Sequence, residues 1–113
     1  MKKIWCLDPQ NGGVRIPVES QLQITAEIEA YVATKEWGKK HKLQIRYRGQ
    51  FCYIGHIENE QIYPLGRLRY FNSKKWSAAF FTYSSERYEA CFLSDGFFGT
   101  LEDAIDMCSF YLL

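Results

Sequence analysis

At Leu43 the hydrophobic pattern of this chain changes period, and that change restricts its possible folds more than any other feature. Before it, apolar residues recur at helical spacing: Ile24, Ile28, Tyr31 and Val32 stand at i, i+4, i+7 and i+8, one face of an amphipathic helix. After it, apolar residues recur every second position. Alternating runs at about 43–48, 51–58, 63–71, 76–84 and 88–94 predict five strands, because strand side chains point to opposite faces in turn. The interruptions are short and carry turn formers: Arg48-Gly49-Gln50, Glu58 to Gln61, Asn72 to Lys75 and Ser84 to Arg87. Connections this short join antiparallel neighbours, so the middle of the chain reads as a meander. "WSAAFFTY", residues 76–83, is apolar on both alternations, which predicts a central strand covered on both faces.

The flanks complete an α+β architecture, with one helix before the meander and one after it. Ser20 reads as the N-cap of the first helix, with Gln23 closing a capping box. That helix is expected to run to about Trp37, with Gly38 ending it and Lys39, Lys40 and Lys42 suiting the negative end of its dipole. Near the C-terminus Thr100 and Asp103 form a second capping box, and Leu101, Ala104, Ile105, Cys108 and Tyr111 or Leu112 form the apolar stripe behind it. At the front, "KIWCLD" and "VRIPV" around "PQNGG" read as an N-terminal hairpin, with Pro17 confining its second strand to an edge.

The 113 residues form a single domain, residues 1–113, long enough to bury roughly two thirds of the unfolded surface. With 47% hydrophobic and 17% aromatic residues the chain is too apolar for disorder. No apolar run reaches the roughly 18 residues of a membrane helix, and Asp8 and Pro9 interrupt the stretch a signal peptide would use. The expectation is a cytoplasmic protein with no membrane association. Cys6, Cys52, Cys91 and Cys108 are widely spread with no C-x-x-C pair, which fits buried, reduced thiols.

Charge is the feature that bears on function. The net charge is only +1, but residues 35–75 hold ten basic and three acidic side chains, a net of +7 against −6 for the remainder. Within that segment Arg46 and Arg48 flank Tyr47, and Arg67 and Arg69 flank Leu68. The two-residue period of a strand puts each pair on one face, so all four guanidinium groups can share one side of a sheet. Lys39, Lys40, Lys74 and Lys75 are read as the rim of that face. Tyr47, Tyr53 and Tyr70 stand among these cations as candidates for stacking.

Signatures of catalysis are missing: no G-x-G-x-x-G, P-loop, G-x-S-x-G or H-E-x-x-H occurs. His56-Ile57-Glu58 has the H-x-E spacing of zinc deaminases without the P-C-x-x-C that supplies the other ligands. His56 is therefore read as a hydrogen-bonded structural or surface histidine, and His41 as a loop residue. No catalytic residue, metal ligand or cofactor is assigned.

"GFFGTLEDA", residues 96–104, fits the G-x-F-x-T-x-E-[ED]-A run that joins the last strand to the helix in AP2-type DNA-binding domains. Lys75-Trp76 and Ala78 resemble the K-W-x-A strand of the same domains. Similar modules, three strands and a helix, stand at the N-termini of phage and transposon integrases. The resemblance covers residues 75–104 and implies a sheet that reads DNA through its exposed face. The strand at 76–84, however, holds few arginines, and Glu89 on the next strand would repel phosphate. "RGQFCYI" resembles the core of RNA-recognition motifs, but Gln50 occupies the first aromatic position and shifts the rest by one residue. The whole stretch from Arg67 to Ala104 also resembles small uncharacterised prokaryotic proteins of similar length, which implies no activity.

The reading is a non-catalytic binding module that uses a basic sheet face. Its partner is an acidic protein or a second copy of the chain, since acidic helices and a basic sheet are complementary. The alternative is nucleic acid, its phosphates held by the same arginines. An enzyme of unknown class is the remaining alternative.

Overall fold

The computed structural model describes residues 12–90, 93 and 96–112. Three helices and six strands follow in order: α1 (Val18–Val32), α2 (Glu36–Lys40), β1 (Lys42–Arg48), β2 (Phe51–Glu58), β3 (Gln61–Asn72), β4 (Lys75–Thr82), β5 (Arg87–Ala90), β6 (Phe98–Gly99) and α3 (Leu101–Cys108). A turn of 3-10 helix, Ser109–Leu112, closes the described chain. The five main strands form the expected antiparallel meander in the order β1-β2-β3-β4-β5, and β6 pairs with β4 beyond β5.

The register divides the sheet residues into two sets. Tyr47 opposes Cys52, Cys52 opposes Leu68 and Leu68 opposes Ala78. This set, with Ile45, Ile54 and Trp76, packs with Ile24, Ile28 and Val32 of α1 and Leu101, Ala104, Ile105 and Cys108 of α3 as the hydrophobic core. The other set is the open face, against which none of the described helices packs. On β4, Trp76 and Ala78 belong to the helix side, Ser77 and Ala79 to the other, and all four are buried. From Trp76 to Ala79 the strand is therefore buried on both sides, although no described helix packs on the second, while Lys75 is exposed and Phe80 to Thr82 are partly buried.

α3 begins as its sequence dictates. Thr100 Oγ1 accepts from the Asp103 backbone N–H, and the Asp103 carboxylate accepts from the Thr100 N–H, so two otherwise orphaned donors are satisfied. α1 differs from expectation at both ends. Pro17, not Ser20, holds the N-cap position, at φ −59° and ψ 141° and with no side-chain cap. Ser20 lies within the first turn, its N–H on the Pro17 carbonyl, and Gln23 donates to Glu27 rather than closing a box. The helix stops at Val32, and the Thr34 hydroxyl and N–H and the Lys35 N–H take up its last carbonyls. Gly38 does not end α1 but sits inside α2, where a Cβ would collide with the Val32 carbonyl. It is glycine because the two helices approach there.

The first strand of the expected N-terminal hairpin lies outside the described residues. Its second strand, placed at residues 14–18, is not a strand. Val14 N–H donates to the Tyr70 carbonyl and Ile16 N–H to the Gly49 carbonyl, partners on two different segments rather than one ladder. The segment straps the end of the sheet and buries Ile16 at 1% exposure.

Cys52 and Cys108 are buried thiols, as expected, while Cys6 and Cys91 lie outside the described residues. Cys108 marks the closest approach of helix and sheet: a Cβ on Gly66 would lie 2.5 Å from its Sγ and 3.1 Å from the Ala79 carbonyl. Gly66→Ala should therefore cost about 1–3 kcal/mol by overpacking. Adding Cys108→Ala should reduce that increment in a double-mutant cycle read by urea denaturation. An unchanged increment would place the strain elsewhere.

Two neighbours on the helix side link stability to alkaline pH. Burial pushes the Cys52 thiol from its ordinary 9.0 up to about 12, and the Tyr47 phenol from 10.0 up to about 12. The folded state keeps both protons where the unfolded chain releases them, so this contribution is whole below pH 9 and is lost as the pH rises toward 12. The urea midpoint should stay level between pH 7 and 8.5 and decline above pH 9, and Cys52→Ala should soften the onset. A level midpoint up to pH 11 would contradict this.

Candidate functional site

The register brings the four arginines together on the open face. Arg46 opposes Tyr53, Tyr53 opposes Arg67, and Arg67 opposes Ala79; one step along, Arg48 opposes Phe51, Phe51 opposes Arg69, and Arg69 opposes Ser77. Cations and aromatic rings thus alternate across three strands. The guanidinium carbons lie over the rings: Arg46 over Tyr53 at 5.3 Å, Arg67 over Phe51 at 4.5 Å and Tyr88 at 5.1 Å, and Arg69 over Phe51 at 4.6 Å. Such contacts are attractive because the ring face carries negative charge, and they hold an arginine extended rather than coiled in solvent.

The four arginines are not equivalent. Arg46 and Arg48 on the outer strand β1 are exposed, and Arg67 is half-buried. Arg69 is only 8% exposed and donates from Nη1 to the Gly12 carbonyl at 2.8 Å. It therefore anchors the strap at the sheet end and is a structural residue more than a contact surface. The lysines do not form one rim. Lys75 extends the face, its Nζ 4.4 Å from the centre of the Phe98 ring and 5.5 Å from that of Phe71. Lys74 is exposed in the adjoining β3–β4 turn, with its N–H on the Asn72 side chain. Lys39 and Lys40 precede Lys42, at the opposite end of β1 from Arg48.

The tyrosines sort by the same alternation. Tyr53 lies on the open face. Tyr47 belongs to the helix side, hydrogen-bonded to Thr25 at 2.8 Å and to the Gln21 carbonyl at 3.2 Å. Tyr70 belongs there too, edge-on to Trp76 at 5.0 Å. Sequence reasoning missed Phe51 and Tyr88. Phe51 was legible, since it shares the phase of Tyr53. Tyr88 was not, because only the pairing of Phe81 with Tyr88 shows which way it points.

Tyr53 of β2 and Tyr88 of β5 meet on the open face, ring centroids 6.0 Å apart, although their strands stand three places apart, a backbone separation of about 14 Å. Beside these rings runs a groove of about 380 Å³ lined by Gln44, Arg46, Tyr53, Gly55, Pro64 and Tyr88. A β-bulge shapes it. Ile54 pairs with Gly66 but Gly55 pairs with Pro64, which leaves Leu65 extra and buried and brings Pro64 beside Gly55 at the groove. Desolvation raises the Tyr88 phenol pKa, although Arg67 and Arg46 pull it the other way. None of the residues that the register assigns to this face from β1 to β4 is acidic. Glu19, Glu27 and Glu29 of α1, Glu36 of α2 and Glu102, Asp103 and Asp106 of α3 lie in the helices across the sheet.

His56 is on the helix side, stacked on Tyr63 at 5.3 Å and edge-on to His41 at 5.8 Å. Its buried Nδ1 has no hydrogen-bond partner among the described residues. No group of three or more metal-ligating side chains occurs among the described residues, and no described helix is long and apolar enough to cross a membrane.

Arg69→Ala should lower stability by about 1–3 kcal/mol, since it removes a buried hydrogen bond from a charged group and the packing on Phe51. Arg48→Ala, at an exposed position, should stay within about 0.5 kcal/mol. Equal losses by urea denaturation would refute the division between anchor and surface arginines. No family model, curated protein or solved structure matches the chain.

Proposed function

We propose that this protein is a non-catalytic binding module whose open sheet face takes an anionic partner. One observation carries the reading: Arg46, Arg48, Arg67 and Lys75 share a face with half-buried aromatic rings, and the register assigns no carboxylate to that face from β1 to β4. A merely solvated sheet face would be expected to mix charges, because opposite charges across strands stabilise it and like charges oppose it. Four cations gathered on one face, with Arg46, Arg67 and Lys75 held over rings, are prepared for an anion at little further entropic cost.

The segregation of charge favours a second reading, self-association, in which the acidic helices of one copy meet the basic sheet of the next. Such a contact is heterologous and builds rings or open chains rather than a closed pair. A two-fold dimer through the arginine face would instead oppose like charges.

The double variant Arg46→Glu with Arg67→Glu tests both. Fluorescence anisotropy at 50 mM salt against labelled polyphosphate, oligonucleotide and poly-glutamate should show binding of at least one probe by the wild-type chain. The variant should lose it by tenfold or more while keeping its circular dichroism spectrum. Absence of binding to all three, together with a mass that does not change with concentration in light scattering, would overturn the proposal.

A further inference from the structure

We propose that the anionic partner is a single-stranded nucleic acid, one unstacked base of which enters the groove bounded by Gln44, Arg46, Tyr53 and Tyr88. The inference rests on the binding role proposed above for the same face and adds the class of ligand. Its first ground is the shape of the groove. At about 380 Å³ it lies within the range of small-molecule sites, about 300–1,000 Å³. Phosphates alone would need no such cavity.

The second ground is how the rings are used. Phe51 lies under Arg67 at 4.5 Å and Arg69 at 4.6 Å and does not line the groove. Tyr53 and Tyr88 do line it, inclined to each other at 64°, with Arg46 and Arg67 at 5.3 and 5.1 Å over their rings. A planar ring stacked on one of them meets the edge of the other, a geometry aromatic groups favour. Arg46, exposed and more loosely placed over Tyr53 at 5.3 Å, is positioned to cover a base from outside or to reach its phosphate.

The third ground is the polar group within reach. The Gln44 side-chain amide offers donors and an acceptor together, the pairing that reads a base edge. An acidic peptide would satisfy the arginines but would leave the angled tyrosines and the amide without a use. A duplex keeps its bases stacked inside and would meet only the cations.

Stacking is sequence-tolerant and phosphate contact is salt-dependent, so the two contributions separate experimentally. Anisotropy would compare four labelled probes: a twelve-residue oligouridine, an abasic ribose-phosphate strand of equal charge, a twelve-pair duplex and poly-glutamate. Oligouridine should bind at least tenfold more tightly than the abasic strand. Its affinity should fall about fifty-fold between 50 and 200 mM salt if four cations meet phosphates. Tyr53→Leu should weaken oligouridine binding far more than abasic binding and so erase the preference between them, and Tyr53→Phe, which keeps the ring, should restore it. Equal binding of all nucleic-acid probes, or indifference to Tyr53→Leu, would overturn the base site and leave the anion-binding face standing. Tighter binding of poly-glutamate would overturn the choice of nucleic acid, and no binding by any probe would overturn the face itself.

Discussion

The open face of the sheet is organised by the contact of guanidinium groups with aromatic rings. A sheet packed by helices on one side must still do something with its other side, and the usual solutions are a second layer or a solvated polar surface. Here Arg67 lies between Phe51 and Tyr88, and Arg69 shares the Phe51 ring while holding the Gly12 carbonyl. The rings shield apolar area that water would otherwise meet, and the arginines keep their charge where a second layer would have buried it. Both the strap at the sheet end and the groove beside Tyr53 depend on this arrangement.

The helix side supports it from beneath. The Tyr31 hydroxyl reaches the Asp106 carboxylate and ties α1 to α3, while Gly66 lets α3 lie directly on the sheet. Tyr47 joins β1 to α1 through Thr25, so the strand that carries Arg46 and Arg48 is held by its other face. Residues that pack against the helices and residues of the proposed binding face thus alternate along a single strand, so alternation in the sequence becomes a division between the two sides of the sheet.

This is why some features could be read in advance. The meander follows from a period of two broken by short turns, and Asn59, Glu60 and Gly49 adopt the positive φ that such turns use. The shared phase of the arginines and the capping box of Thr100 and Asp103 are equally local. What sequence could not supply was set by distant neighbours. Gly38 looks like a helix stop until Val32 is seen packed against it. Arg69 looks like a surface arginine until Gly12 crosses it. Lys39 and Lys40 are joined to the arginines by sequence distance but separated from Lys75 by the length of the sheet. The groove itself depends on the bulge at Leu65 and on the meeting of Tyr88 with Tyr53 across three strand spacings, and neither follows from any short stretch.

The central claim is that the open face, and not the helix layer, is the binding surface. Its most direct test is an amide and arginine side-chain NMR titration of the labelled chain with short single-stranded oligonucleotide at low salt. The account predicts shifts concentrated at Gln44, Arg46, Tyr53, Gly55, Arg67 and Tyr88, with α1 and α3 unaffected. Shifts confined to α1, α2 or α3, or none at saturating oligonucleotide, would contradict it.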